Sequence, residues 1–226
     1  MRNNIFSVVL LSYNSKENIV KIAEAIRKRF DREKIDYELI IIDDASEDES
    51  FEIALNLEKA DSRVRAYQLS KNVTSHYSIF AGFSLASGDC AIAIPDDFQV
   101  PIDTVVEMYR HWENGLKVVV PYRDIRKDHF FSRLSAAAYY KLMNSFSDIA
   151  FPKGGADIFL ADREVIDILN ERIHARNTST IAEVLRLGFY PIFIPMKRDL
   201  GTNRKSRWTL KAKWRLAVDT FIASSS

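Results

Sequence analysis

Strand-like and helix-like segments alternate from the beginning of this chain, and this alternation limits its fold more than any other feature. Residues 5–13 (IFSVVLLSY) form a nearly continuous apolar run, typical of a strand buried on both faces of a parallel sheet. Residues 15–30 follow with apolar residues at helical spacing, and Ser15 is a candidate N-cap. Further strands are predicted at 37–43, 64–70 and 90–94, with helix patterns between them. Four such units predict an α/β fold with a mostly parallel sheet flanked by helices.

The pattern after residue 101 is looser but continues in the same manner. It predicts helices at 102–115 and 129–146, strands at 116–122 and 188–195, and a short strand with a helix at 156–170. No low-complexity linker and no internal repeat interrupts the chain. We therefore predict a single domain over residues 1–200, followed by a basic C-terminal segment at residues 201–226.

The composition excludes several classes of protein. Of 226 residues, 47% are hydrophobic and 28% are charged, and the net charge of +1 argues against a general nucleic-acid binder. Cys90 is the single cysteine, so neither an intrachain disulfide nor a cysteine-based zinc site can form. The N-terminal apolar run is too short for a signal peptide, and no window approaches the ~18 apolar residues of a membrane span. We therefore expect this part of the protein to be soluble and cytosolic.

Polar clusters follow four of the predicted strands. They are SYNS at 12–15, DDAS at 43–46, KN at 71–72 and PDD at 95–97. The carboxyl ends of parallel strands share one edge of the sheet, where proteins of this class bind ligands. Each cluster could equally be a turn or a helix cap, because Asp, Asn and Ser side chains bond nearby backbone N–H groups. The clusters therefore predict either one pocket or four local caps.

Nucleotide binding through a glycine-rich loop is unsupported, because neither G-x-G-x-x-G nor a P-loop is present. A nucleotide can instead be held by carboxylates on its base and ribose, with a metal on its diphosphate. Asp43 and Asp44 suit the first role, and Asp96 and Asp97 suit the second. The alternatives for these residues are a helix cap and a turn.

The chain resembles family 2 glycosyltransferases with the GT-A fold. The segments that carry this resemblance are SVVLLSYNSKENI, IIIDDASEDES, SKNVTSHYSIFAGFSLASGD and IPDDFQVPIDTVVEM. Later segments look like the branch that transfers sugar to a polyprenyl phosphate, which includes dolichol-phosphate mannose synthases. These segments are PYRDIRKD, KGGADIFLADREV, LGFYPIFIPMKR and RKSRWTLKAKWRLAVDTF. The likeness covers nearly the whole chain.

This resemblance implies an inverting hexosyltransferase of cell-envelope polysaccharide synthesis. It would move a sugar from a nucleotide-sugar, which we expect to be a UDP-sugar, to a polyprenyl phosphate. The implied nucleotide-binding residues are Ser12, Tyr13, Asn14, Asp43, Asp44, Asn72 and Asp96. Asp97 and Gln99 match the second acid of the family's D-x-D motif and the Gln that follows it, so they would bind Mg²⁺ or Mn²⁺.

The same resemblance implies a catalytic set and an acceptor site. The catalytic set is Asp97, Asp157, Arg123 and Arg126, and the acceptor-binding residues are Arg198, Ser206 and Trp208. The two catalytic arginines match paired basic residues that meet phosphates. Asp157 could be a general base for a hydroxyl acceptor, a metal-binding or orienting group on the phosphate side, or a local cap.

The C-terminal segment carries six basic residues between 204 and 215, with apolar residues at helical spacing. A basic amphipathic helix with Trp at its edge suits an anionic membrane surface. We therefore expect a peripheral location at the cytoplasmic face of the plasma membrane, and relatives in this branch often continue into membrane helices. The alternative is a terminal helix that docks on the domain.

The sequence departs from the family pattern at several positions. Pro95 replaces the first acid of D-x-D, Ser15 the acid after Tyr-Asn, Thr74-Ser75 the Gly-Lys pair, and Ala45 the glycine of D-D-G-S. These changes leave two alternative functions open. One is transfer to the hydroxyl of a glycan, which would need Asp157 as a base. The other is an inactive module that binds a nucleotide-sugar or a lipid.

Overall fold

Residues 4–73, 75–123, 156–173 and 180–196 are described by this computed structural model. They contain seven strands: β1 (Ile5–Ser12), β2 (Asp36–Asp43), β3 (Val64–Gln68), β4 (Cys90–Pro95), β5 (Val118–Arg123), β6 (Leu160–Asp162) and β7 (Ile192–Met196). They also contain six helices: α1 (Ile19–Glu33), α2 (Ser50–Ala60), α3 (Ser75–Leu85), α4 (Ile102–Glu113), α5 (Arg163–Arg172) and α6 (Thr180–Arg186). The predicted helix at 129–146 and the segment at 201–226 lie outside the described residues.

The strands form one sheet in the order β3-β2-β1-β4-β6-β5-β7. The first four strands of this order are mutually parallel, and β5 is parallel to β7. The short strand β6 runs antiparallel to both of its neighbours, β4 and β5. The predicted mostly parallel α/β sheet is therefore confirmed, with one antiparallel strand between β4 and β5.

The core divides between the two faces of this sheet because successive side chains of a strand point to opposite sides. On β1, Phe6, Val8 and Leu10 join one buried cluster, and Val9 joins the other. The first cluster includes side chains of α1, α2 and α4. The second includes side chains of α3, α5 and α6. Burial on both faces explains the continuous apolar composition of β1 and β2.

Gly82 allows α3 to lie close against β1. A Cβ atom at this position would lie 2.2 Å from Cγ1 of Val9, a distance that no carbon contact permits. Val9 is completely buried, so it has no solvent side toward which to move. The packing distance between α3 and the sheet therefore depends on the missing side chain of Gly82.

Glu38 connects the amino ends of β1, β2 and β3 and the segment before β4, on the edge of the sheet opposite to the polar clusters. Its carboxylate accepts hydrogen bonds from the Ser7 hydroxyl and the Ser87 backbone N–H, each at 2.6 Å, and pairs with Arg65. Burial raises the pKa of Glu38, but the hydrogen bonds from Ser7 and Ser87 and the charge of Arg65 outweigh it. The net result is a pKa below the ordinary value. The ionised carboxylate therefore stabilises the folded state.

Two local features differ from the sequence-based expectation. Helix α1 begins at Ile19 with Asn18 as its N-cap, so the prediction of Ser15 as the cap is wrong. Ser15 instead lies in the buried loop before the helix, where its backbone N–H donates to the Ser50 hydroxyl at 2.8 Å. Helix α6 was not predicted from the sequence. Among the described residues, none of the helices is long and apolar enough to cross a membrane.

Candidate active site

The carboxyl ends of β3, β2, β1 and β4 lie side by side along one edge of the sheet. The register places Asp43 between Ser12 on β1 and Gln68 on β3, and it pairs Pro95 on β4 with Leu11. Because neighbouring strands lie about 4.8 Å apart, the end of β3 and the end of β4 are about 14 Å apart along this edge. The four polar clusters of the sequence therefore meet along one edge.

Asp43 is the most constrained side chain of this edge. It is completely buried, and its Oδ2 accepts hydrogen bonds from the Ser46 backbone N–H at 2.9 Å and from Gln68 Nε2 at 3.0 Å. Its Oδ1 accepts from the Ser46 hydroxyl at 2.5 Å. A buried carboxylate is costly without such donors. Asp43 therefore holds the loop after β2 and the last side chain of β3 in place.

Ser46 connects this loop with the loop after β1. The Asn14 backbone N–H donates to the Ser46 hydroxyl at 2.9 Å, and the Glu47 backbone N–H donates to Asn14 Oδ1 at 3.0 Å. The Ser46 hydroxyl accepts from Asn14 and donates to Asp43, so one side chain fixes both loops. The position of the predicted residue Asn14 therefore depends on Ser46.

Asp44 connects the edge to the segment after β3. Its side chain is 6% exposed, and its Oδ1 accepts a hydrogen bond from the Val73 backbone N–H at 2.8 Å. Its own backbone N–H donates to the Ser12 carbonyl at 2.8 Å. The exposed residue Asn72 precedes Val73 directly, so this contact brings Asn72 to the same edge.

The loop after β4 carries the acidic pair. Asp96 Oδ2 accepts a hydrogen bond from the Tyr13 backbone N–H at 3.2 Å, which connects this loop to the one after β1. Asp97 is half-buried and accepts from the backbone N–H of Gln99 at 3.1 Å and from its side-chain Nε2. The two acids therefore have different surroundings: Asp96 binds the neighbouring loop, and Asp97 binds Gln99.

Three loops of this edge contain a residue in the left-handed backbone region. Asn14 has φ 47°, and Ala45 and Phe98 each have φ 56°. The remaining non-glycine residue of this kind in the described ranges is Lys34, which caps α1. Such conformations are unfavourable for residues with a side chain and concentrate at functional sites. Their distribution favours the strand ends as the functional region.

Two buried hydroxyl groups beneath the loop after β1 have no hydrogen-bond partner within the described residues. They are Ser12 Oγ and Ser15 Oγ, in side chains that are 2% and 3% exposed. Buried polar atoms are normally satisfied, so each exception calls for an explanation. These two hydroxyl groups lie at the predicted nucleotide-binding loop, where each can still form hydrogen bonds.

Asp157 lies near the same edge although it precedes an antiparallel strand. Leu160 is the first residue of β6 and pairs with Ile92, so the chain enters β6 from the carboxyl side of β4, and Asp157 lies three residues before that pair. Its side chain is exposed. Arg123 ends β5, which runs in the same direction as β4, so its backbone also reaches this edge. The side chain of Arg123 and the whole of Arg126, Arg198, Ser206 and Trp208 lie outside the described residues.

Asp97 and Gln99 are the residues predicted to hold a divalent cation. Magnesium and manganese ions prefer carboxylate and amide oxygens. In the structure the amide nitrogen of Gln99 donates to Asp97, so the amide group would have to turn over to present its oxygen to a cation beside Asp97. Within the described ranges, no group of three or more His, Cys, Asp and Glu side chains could hold a metal by itself.

The sequence-based prediction missed two residues of this edge. Ser46 carries a readable signal, because a hydroxyl three residues after Asp43 can bond back to it. Gln68 carries no such signal, because its contact with Asp43 depends on the register between β2 and β3. Local sequence patterns do not specify that register.

Comparison with known proteins identifies the family. The model of Glycosyl transferase family 2 matches residues 7–168. The chain belongs to this family. It is 30% identical over 215 residues to the uncharacterized glycosyltransferase YkcC of Bacillus subtilis, covering 95% of this chain and 66% of the relative. It is 29% identical over 224 residues to the bactoprenol glucosyl transferase of Shigella phage SfV, covering 97% and 72%. The chain thus spans about two thirds of the length of these relatives.

Solved structures confirm the GT-A fold of this family 2 glycosyltransferase. Glucosyl-3-phosphoglycerate synthase from Mycobacterium tuberculosis, in complex with Mn²⁺ and UDP-glucose, superposes with a TM-score of 0.63 at 16% identity, covering 98% of this chain and 79% of the other. The mannosyltransferase PcManGT from Pyrobaculum calidifontis, in complex with GDP-mannose and Mn²⁺, gives 0.59 at 15% identity, covering 84% and 54%. At these identities the likeness establishes the fold.

Proposed function

We propose that this glycosyltransferase moves the sugar of a UDP-sugar to a polyprenyl phosphate at the cytoplasmic face of the membrane. The observation that carries the proposal is the arrangement of the carboxyl edge. The Asp43 network lies on β2, and the Asp97–Gln99 pair lies at the end of β4, with β1 between them. This order suits a donor whose nucleoside lies over β2 and β1 and whose diphosphate lies at β4.

The chemistry of a phosphate acceptor agrees with this edge. An oxygen of the acceptor phosphate attacks the anomeric carbon, and the bond from that carbon to the nucleoside diphosphate breaks with its electron pair on the diphosphate. A single displacement of this kind inverts the anomeric configuration. The attacking phosphate is already an anion at neutral pH, so no side chain has to remove a proton.

The charge on the leaving diphosphate is the main demand on the protein. Asp97 and Gln99 would hold Mg²⁺ or Mn²⁺, which when bound offsets this charge as a Lewis acid. Arg123 and Arg126 are proposed to donate hydrogen bonds to the phosphates, since guanidinium groups bind phosphate oxygens in a bidentate manner. Asp44, Asn72 and their neighbours are proposed to orient the nucleoside.

Two observations support the proposed lipid acceptor. A relative that aligns with 97% of this chain is named a bactoprenol glucosyl transferase. In addition, residues 204–215 carry six basic residues, which suit an anionic membrane surface and a lipid phosphate. We propose that Arg198, Ser206 and Trp208 hold the acceptor phosphate near this basic segment.

Asp157 supports a second candidate reaction, transfer to the hydroxyl group of a glycan. Its carboxylate is exposed near the end of β4, where a general base for such an acceptor would be needed. A third reading, an inactive binding module, draws on Pro95, which stands where the family has the first acid of its D-x-D motif. These readings differ in the product that they predict.

A transfer assay on the full chain tests the proposal. Radiolabelled UDP-glucose, UDP-N-acetylglucosamine and GDP-mannose are each incubated with undecaprenyl phosphate in detergent and Mn²⁺, and the label extracted into organic solvent is counted. We expect lipid-linked product from a UDP-sugar and a loss of about 10²-fold or more in Asp97→Ala. Asp103→Ala is the matched control, because the Asp103 side chain is 82% exposed on α4.

Other outcomes would replace the proposal. Label transferred to a glycan but not to the lipid, and lost about 10²–10⁴-fold in Asp157→Asn, would establish the hydroxyl reaction. Binding of UDP by calorimetry without product from any donor would establish the binding module. Transfer from GDP-mannose with none from UDP-sugars would refute the choice of donor while leaving the acceptor in place.

A further inference from the structure

We infer that Gln68 contacts the nucleobase of the donor and makes the site prefer uracil to cytosine. This inference rests on the proposed function, because it assumes that a nucleoside diphosphate lies along the carboxyl edge. It concerns Gln68, a residue that none of the sequence motifs above contains.

The position of Gln68 is the first support. Gln68 is the last residue of β3 and the register partner of Asp43, and its side chain is exposed. β3 lies two strands beyond β1, on the side away from β4. A donor with its diphosphate at the end of β4 therefore extends across β1 toward β2 and β3, so that its base is the part that lies nearest to Gln68.

The orientation of the Gln68 carboxamide is the second support. Its Nε2 donates to Asp43 Oδ2 at 3.0 Å, and this is its one side-chain hydrogen bond within the described residues. The Asp43 carboxylate also accepts from Ser46 through both of its oxygens. The amide nitrogen of Gln68 therefore has to face Asp43, which prevents the carboxamide from turning over. Its Oε1 and second N–H remain available to a ligand.

This fixed orientation distinguishes the pyrimidine bases. Uracil presents a ring N–H beside a carbonyl oxygen, and the free Oε1 and N–H of Gln68 pair with these two groups. Cytosine presents a ring nitrogen acceptor beside an amino group, which is the reverse order. A freely rotating glutamine could adapt to it, whereas Gln68 pinned by Asp43 would oppose acceptor to acceptor and donor to donor. Guanine carries the same N–H and carbonyl pair as uracil, so Gln68 would not exclude it.

Calorimetric titration with UDP and CDP in the presence of Mn²⁺ tests this inference. For the wild-type chain we expect UDP to bind about tenfold or more tightly than CDP, as an unmatched polar pair costs this much. In Gln68→Leu the ratio should fall to within about threefold, with weak binding retained through ribose and phosphates. Both nucleotides are measured on the same preparation, so a partly unfolded fraction cancels in the ratio.

The matched control is Asn56→Leu, which replaces an exposed amide on α2, away from the edge. It should keep the wild-type ratio. If Gln68 only supports Asp43, Gln68→Leu would weaken UDP and CDP equally, and this result would overturn the inference while leaving the proposed function standing. Equal affinity of the wild-type chain for UDP and CDP would also overturn the inference about Gln68 and leave the proposed function standing. Failure of the wild type to bind any nucleotide would overturn both.

Discussion

The substitution Ser46→Ala tests how the candidate active site is held together. The Ser46 hydroxyl donates to Asp43 Oδ1 at 2.5 Å and accepts from the Asn14 backbone N–H at 2.9 Å. A hydrogen bond to a charged group contributes about 1.5–3 kcal/mol and a neutral one about 0.5–1.5 kcal/mol. Since Asp43 is completely buried, water cannot readily replace the lost donor. We expect the free energy of unfolding to fall by about 2–4 kcal/mol.

Urea unfolding followed by tryptophan fluorescence measures this change, and thermal unfolding should show a decrease in Tm of about 4–16 °C. Ser46→Thr keeps the hydroxyl and should recover most of the loss. The control is Ser84→Ala, which removes an exposed hydroxyl bonded to a carbonyl within α3. This control should change the unfolding free energy by less than about 0.5 kcal/mol.

The reasoning would be refuted if Ser46→Ala unfolded like the control. That result would mean that the buried carboxylate of Asp43 keeps enough partners without the hydroxyl. It would also mean that the loops after β1 and β2 do not depend on Ser46. A second measurement is the affinity for UDP. It should weaken in Ser46→Ala together with the stability, because the Asn14 backbone N–H loses its hydrogen bond to the Ser46 hydroxyl.

Three further predictions concern the fold around the site. Gly82→Ala should lower the unfolding free energy by about 1–3 kcal/mol, because the added methyl group would clash with Val9. Adding Val9→Ala makes room for that methyl group, so the double variant should be no less stable than Gly82→Ala alone. Calorimetric unfolding of both variants checks this. Ala45→Gly should raise it by about 1 kcal/mol by relieving the φ of 56°, and an unchanged Tm would contradict this expectation. The pKa of Glu38 is lowered in the folded state, so its ionised carboxylate stabilises the fold above the ordinary pKa of 4.5, and this stabilisation is lost as the pH falls through the folded-state pKa. The loss of stability in Glu38→Gln, measured by urea unfolding, should therefore be largest near pH 7 and disappear in acid.

The candidate site was predictable only in part. Asp43, Asp44, Asp96 and Asp97 were predicted as strand-end carboxylates, and the structure places all of them along one edge. Their individual partners were not predicted. Whether a carboxylate is buried among donors, as in Asp43, or half-buried beside an amide, as in Asp97, depends on what the neighbouring strands bring to it.

Local patterns along the chain determined the elements and the fold class. The apolar runs of β1, β2 and β4 and the helical spacing in α1 are properties of contiguous residues, so the α/β alternation was readable before any contact was known. Ser15 shows the limit of such reasoning. It has the right residue type for a helix cap, but the buried loop and its contact with Ser50 move the helix start to Ile19.

Only the tertiary structure decided the order of the strands and the contacts across them. The three residues of β6 carry no signal for an antiparallel position between β4 and β5, because strand order is set by packing between distant segments. The same holds for Gln68, which meets Asp43 through a register shared by strands 25 residues apart. Sequence periodicity reports which face of an element is buried, whereas register and strand order arise from long-range pairing.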